Sequence, residues 1–161
     1  MDEFSQADAD IPLDAPGRRR LPVLLRRAWY GLNQAFRRRI VRMGLTPDQF
    51  TVIRTLLEAE TDRLTQKALA NAMSSDPNTI ASLLERMEAN GLVGRRPHEK
   101  DRRANRVELL PVACGKYEAI RDEAIGLQSH VLKQLPEAER EKFLEQLETV
   151  AEACRDLSKP Q

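Results

Sequence analysis

The sequence is poor in the residues that build rigid chemical sites. Its 161 residues include two cysteines, Cys114 and Cys154, and two histidines, His98 and His130. One cysteine pair makes neither a disulfide framework nor a zinc site, and its presence fits a reducing compartment. The histidines are too few and too far apart for a metal cluster. Long apolar runs are absent: charged residues make up 32% of the chain, and no stretch is long enough to span a bilayer. The opening MDEFSQADAD has no basic, apolar leader, so a cytoplasmic protein with no membrane partner is expected. There is no glycine-rich phosphate loop, no Ser/His/Asp grouping and no suggestively spaced carboxylate pair, and Ser74-Ser75 has no histidine nearby. These absences argue against an enzyme and give no reason to expect a cofactor or a metal.

Net charge is nearly absent too, but only in sum. With 26 Lys and Arg against 25 Asp and Glu the chain carries +1, yet the signs are sorted along it. Residues 1–16 hold five acids and no base, and residues 17–43 hold nine arginines and no acid. Residues 94–106 hold six bases against two acids, and residues 117–161 hold ten acids against six bases. A basic block binds a polyanion through its local field whatever the total charge. The arginine block is equally consistent with a solvated face.

Hydrophobic periodicity predicts mostly helix. Residues 1–17 are polar and acidic and end in Ala15-Pro16-Gly17, the composition of a flexible tail. Leu21, Leu24, Leu25, Ala28, Leu32, Ala35, Phe36 and Met43 fall on one helical stripe, and Gly44 suits its stop. Thr46-Pro47-Asp48-Gln49 is a helix start, with Thr46 as cap, Pro47 at the first position and Gln49 reaching back. Phe50, Ile53, Leu56 and Leu57 continue that helix, and Glu60-Thr61-Asp62 breaks it. Thr65 caps a short helix to about Met73, and Asp76-Pro77 starts another with Ile80, Leu83, Leu84 and Met87 inward and Gly91 as its close. Leu92-Val93 and Val107–Leu109 then flank RRPHEKDRRANR, two short strands around a basic turn. Two long helices follow, with Tyr117, Ile120, Ala124, Leu127 and Val131 on one stripe and Phe143, Leu147, Val150, Ala151 and Cys154 on the other.

The informative stretch is 64–110. Two helices joined by a tight turn make a helix-turn-helix. The second, roughly 77–90, turns Asn78, Ser82 and Glu85 away from its apolar side, with Thr79 and Arg86 on the flank. Small hydrogen-bonding side chains there approach base edges in a major groove, while the terminal N–H groups of the helix face phosphate. Ser74, Ser75, Asn78, Thr79, Ser82 and Arg86 are therefore candidate DNA contacts. In the basic hairpin, Arg95, Arg102 and Arg103 join them, with Arg95 and Arg102 expected to meet phosphates. A helix-turn-helix alone is common; one followed at once by an arginine-rich hairpin is much rarer and points to DNA.

The runs LTPDQFTVIRTLLE (45–58) and LTQKALANAMSSDPNTIASLLERMEANGLVGRRPHEKDRRANRVEL (64–109) resemble the MarR family of bacterial winged-helix regulators. The most specific part runs from Gly91-Leu92-Val93 through the wing signature Asp101-Arg102-Arg103. The resemblance implies that Asp101 braces the wing and that Arg103 reaches into the minor groove. One departure is Leu109-Leu110-Pro111 where the family has Leu-Thr-Pro, which alters the cap of the next helix. The expected fold is mainly α with a small β-wing, a winged helix-turn-helix flanked by N- and C-terminal dimerisation helices. Residues 1–17 are the tail, 18–44 a dimerisation helix, 45–110 the DNA-binding region and 111–161 the C-terminal dimerisation helices. The apolar stripes of the terminal helices argue independently for a homodimer, because an isolated amphipathic pair leaves them uncovered.

The resemblance also implies a pocket for a small aromatic or phenolic anion, near Arg26, Trp29, Asn33, Phe50 and Ile53. Taken by themselves, Trp29 suits core or interface and Phe50 suits core. Some relatives instead sense oxidants through a cysteine in the first helix, which this chain lacks; Cys114 is the less securely inert of its two cysteines. The expected function is a DNA-binding transcriptional regulator, a ligand-responsive repressor acting as a homodimer on a palindromic operator. The alternatives are a winged-helix protein-interaction module and a cysteine-based redox regulator.

Overall fold

A computed structural model describes residues 12, 15–59, 64–97 and 105–158. The chain divides into two compact units, Met1–Ala35 and Phe36–Gln161. Helix α1 (Leu21–Ile40) is followed by a 3-10 turn, Val41–Met43, and stops at Gly44, whose φ of 77° is the left-handed conformation glycine adopts without strain. The helix signals in the stripe ending at Met43 are thus divided between an α-helix and a tighter last turn.

Helix α2 (Pro47–Glu58) begins in a complete capping box: Thr46 Oγ1 accepts from the Gln49 amide at 3.3 Å, and Gln49 Oε1 accepts from the Thr46 amide at 3.0 Å. Helix α3 (Gln66–Ala72) is capped by Thr65, whose hydroxyl accepts from the Ala68 amide at 3.1 Å. Helix α4 (Pro77–Ala89) is capped by Asp76. Strands β1 (Val93–Pro97) and β2 (Asn105–Leu109) pair antiparallel, from Val93 opposite Leu109 to Pro97 opposite Asn105. Helix α5 (Pro111–Leu132) starts at Leu110, which supplies no side-chain cap. The Leu110 amide donates to the Leu92 carbonyl at 3.0 Å, tying the start of α5 to the residue before β1. A second 3-10 turn, Glu137–Glu139, leads into helix α6 (Arg140–Leu157). Arg140 Nε donates back to the carbonyls of Leu132 and Leu135, covering the end of α5.

The core of the second unit is apolar and continuous. Val52, Ile53 and Leu56 of α2, Leu69 and Ala70 of α3, and Ile80, Leu83, Leu84 and Met87 of α4 meet Leu92, Val93 and Val107 at the base of the wing and Ala113 and Ile120 of α5. Phe50 lies between Phe36, edge-on at 5.1 Å, and Tyr117, stacked at 5.0 Å. Lys116 of α5 donates to the Met43 carbonyl at 3.3 Å, closing the 3-10 turn with a cation where the helix dipole favours one. Among the described residues no helix is long and apolar enough to cross a membrane.

Candidate nucleic-acid interface

The turn between α3 and α4 is built from local rules. The Ser75 amide donates to Ala70 and the Ser74 amide to Asn71, a Schellman closure with Ser74 in the left-handed region at φ 49°. A β-carbon makes that conformation costly, so the turn holds mild strain that glycine would relieve. The far end of α4 repeats the closure with the favoured residue. There the Leu92 amide donates to Met87 and the Gly91 amide to Glu88, with Gly91 at φ 66° and both Met87 and Leu92 buried. Helix α4 is therefore fixed at both ends by its own sequence, with its apolar side held by Ile80, Leu83, Leu84 and Met87.

The opposite side is open to solvent: Asn78, Thr79, Ser82 and Arg86 are all exposed, as is Ser74, while Ser75 is half-buried. The N-terminus of α4 is not empty, however. Asp76 Oδ1 accepts from the amides of Asn78 at 3.0 Å and Thr79 at 2.9 Å, and Asp76 Oδ2 accepts a short hydrogen bond from the Thr79 hydroxyl. The Thr79 hydroxyl and backbone bonds hold the Asp76 carboxyl below its ordinary pKa of 3.8. The first amides of α4, expected to face phosphate, are thus taken by an internal carboxylate. Thr79 donates its proton inward and presents a methyl group and an acceptor oxygen outward. Arg86 Nε donates to the Ser82 carbonyl at 3.2 Å, which lays its side chain back along the helix.

The wing is tied to the helices by a third extended segment. Thr65 bridges to Arg106, and the Val107 amide donates to the Leu64 carbonyl at 3.0 Å. Two residues are too few to show a period, so nothing in the local sequence marks this bridge. On β1, Arg95 is paired with Glu88 of α4, and Arg96 with Glu108 across the hairpin at 3.2 Å. The wing tip, with Asp101, Arg102 and Arg103, lies outside the described residues, as do Glu60-Thr61-Asp62 and most of the acidic tail.

Of the residues implied for a ligand pocket, Phe50 and Ile53 are buried in the core. On α1, Trp29 and Arg26 are exposed and Asn33 is half-buried. Arg26 lines a shallow groove of about 380 Å³ with Val23, Arg27 and Tyr30. Cys114 is half-buried and Cys154 exposed. Among the described residues no group of histidine, cysteine, aspartate and glutamate is placed to hold a metal.

Two capped helices at a tight turn, a solvent-facing second helix and an antiparallel hairpin packed beside it define a winged helix-turn-helix protein. The MarR family model matches residues 45–104, from the start of α2 to the wing. That stretch of the sequence carries the pattern of a MarR-type domain. The chain is 25% identical over 116 residues to the HTH-type transcriptional repressor YetL of Bacillus subtilis (strain 168), covering 72% of this chain and 70% of YetL. The fold is similar to that of S. aureus MepR in its DNA complex, with TM-score 0.77 and 21% identity over 84% of this chain and 99% of MepR. It is also similar to Bordetella bronchiseptica BpsR, with TM-score 0.75 and 25% identity over 83% of this chain and 94% of BpsR.

Proposed function

We propose that this regulator is a repressor that binds a palindromic promoter operator as a homodimer and is released by a small aromatic or phenolic anion. The observation that carries the DNA-reading part is the exposed face of α4, doubly capped and backed by the core. Asn78, Thr79 and Ser82 read base edges, while Arg102 and Arg103 of the wing meet the backbone and the minor groove, with Asp101 as brace. YetL, described as a repressor, supports the sign of regulation.

Homodimerisation is supported by apolar surface left uncovered in the single chain. Leu21, Leu24, Leu32 and Trp29 of α1 are exposed, and so are Phe143 and Leu147 of α6. Exposed apolar faces of this kind mark interfaces, and a two-fold dimer makes the operator two-fold. Release by an aromatic anion is supported by the α1 groove, which Arg26 and Arg27 line together with Val23 and Tyr30. BpsR, whose DNA binding is regulated by 6-hydroxynicotinic acid, supports the same class.

Binding-site selection from random duplex DNA with the full chain tests the first part. The expected result is an enriched motif with two-fold symmetry; an unenriched pool defeats the reading in favour of a protein-interaction module. Ser82→Leu is expected to cost specific affinity about 1–3 kcal/mol for each lost base contact and non-specific affinity much less. For the ligand, Trp29 fluorescence is titrated with aryl carboxylates such as 6-hydroxynicotinic acid. If the ligand is the releasing signal, the one that alters the fluorescence also weakens operator binding, because release couples the two equilibria. A change in fluorescence at constant operator affinity defeats the release mechanism.

A further inference from the structure

Arg95 reads from sequence as one more cation for phosphate, but its charge is already engaged. Nε and Nη2 both donate to Glu88 Oε2, at 2.9 and 2.6 Å. Glu88 stands in the last turn of α4, and Arg95 is the middle residue of β1, opposite Val107. Val107 is the residue whose amide is held by Leu64, so the ion pair joins α4 to the centre of the extended patch at the base of the wing. Its arginine is also better sheltered than that of the Arg96–Glu108 pair. The Arg95 side chain is 23% exposed, whereas that of its neighbour Arg96, paired with Glu108, is 76% exposed.

We propose that Arg95 is a positioning residue and not a phosphate contact: with Glu88 it braces the wing against the recognition helix, so that the two DNA-reading elements meet the duplex as one body. The inference rests on the DNA-binding reading above. Helix α4 and strand β1 are joined in sequence only by the short turn at Asn90–Leu92. A duplex fixes the distance between the groove read by α4 and the groove met by the wing. A wing free to swing must be ordered on binding, and that ordering subtracts from affinity. A charge-assisted, forked contact between the two elements removes the cost in advance. A guanidinium neutralised by Glu88 also releases no DNA counterion, so it leaves no mark on the salt dependence.

The test is a double-mutant cycle with Glu88→Ala, Arg95→Ala and both together in the full chain, read as affinity for the selected operator across a salt series. Hydrogen exchange of the free proteins is measured alongside. Each single variant is expected to bind about 3–10-fold more weakly, and the double no more weakly than the worse single. The slope of log affinity against log salt stays at the wild-type value, and the amides of β1 and β2 exchange faster in all three variants. The brace is overturned if Arg95→Ala lowers that slope by about one unit per protomer while Glu88→Ala holds or gains affinity, the signature of a phosphate contact. It is equally overturned if strand exchange is unchanged in every variant. A wild-type chain that binds no duplex at all overturns the DNA-binding reading, and the purpose of the brace with it. The failures are distinguishable because only the last appears before any substitution is made.

Discussion

The segment from Leu64 to Leu110 and the helix α6 use similar proportions of apolar residues to opposite ends. In the first, Leu69, Ile80, Leu84, Met87, Leu92, Val93 and Val107 are all almost fully buried within one chain, and α3 and α4 begin at side-chain caps. In α6 no described residue is buried, no side chain caps the start, and Phe143 and Leu147 lie open. Helix α1 resembles α6 in this respect, since only Ile40 at its end is buried. One region completes its contacts internally. The others leave apolar side chains exposed in the single chain, and on that difference rests the proposed division between a part that reads and parts that assemble.

The comparison breaks most visibly at the exposed stripes. The wild-type chain is expected to sediment at low micromolar concentration at about twice 18.3 kDa. Leu32→Glu, on the exposed face of α1, should shift it to a monomer and abolish operator binding. Burying a leucine is worth roughly 1.5–3 kcal/mol, and a symmetric interface loses it twice. A stable wild-type monomer would remove both the dimer and the two-fold operator. Next in size is the core. Leu84→Ala, at a fully buried site on α4, should destabilise the fold by about 2–5 kcal/mol in denaturant unfolding. Phe143→Ala, by contrast, should change the stability of a monomerised variant by less than about 1 kcal/mol. Equal losses at the two sites would erase the distinction drawn between the regions.

Smaller effects sharpen the reading lobe itself. Ser74→Gly should stabilise the chain by about 0.5–1 kcal/mol, because it relieves a left-handed residue without removing a bond of the turn. An unchanged or lower melting temperature counts against strain there. The smallest effect is one of pH. Folding lowers the Asp76 pKa, so the folded state holds its charged form more readily than the unfolded chain does. Its contribution is complete above the ordinary 3.8 and is lost as pH falls through the lower folded value. Asp76→Asn should therefore flatten part of the acid limb of the stability curve and leave its neutral limb parallel to wild type. An acid limb identical in the two proteins removes Asp76 from the account.

The sequence was most legible where structure is local. Thr46-Pro47-Asp48-Gln49 and Asp76-Pro77 predict helix starts because a cap and its amide lie within three residues, and the structure closes both as expected. Gly44 and Gly91 mark stops for the same reason. The corresponding stop after α3 carries serine, so its left-handed turn has no glycine to announce it. The strand-like segment at Leu64-Thr65 shows no period, and its partner at Arg106-Val107 lies two helices away. The Arg95–Glu88 pair crosses an element boundary, where helical spacing rules do not apply. Of the candidate DNA contacts, those on α4 follow from the inward stripe of that helix, whereas the engagement of Arg95 depends on a neighbour that no motif specifies.

The Leu64–Val107 hydrogen bond also sets an order of events in time. Between its two residues lie α3, α4 and β1, so the bond closes a long loop of chain. Every cap and stop of α3 and α4, in contrast, joins residues at most five apart. Short-range contacts form before long-range ones repay their loop entropy. Refolding is thus predicted to protect the amides of α4 first and that of Val107 last. In pulse-labelled exchange, simultaneous protection of the two would show that this lobe condenses in one step.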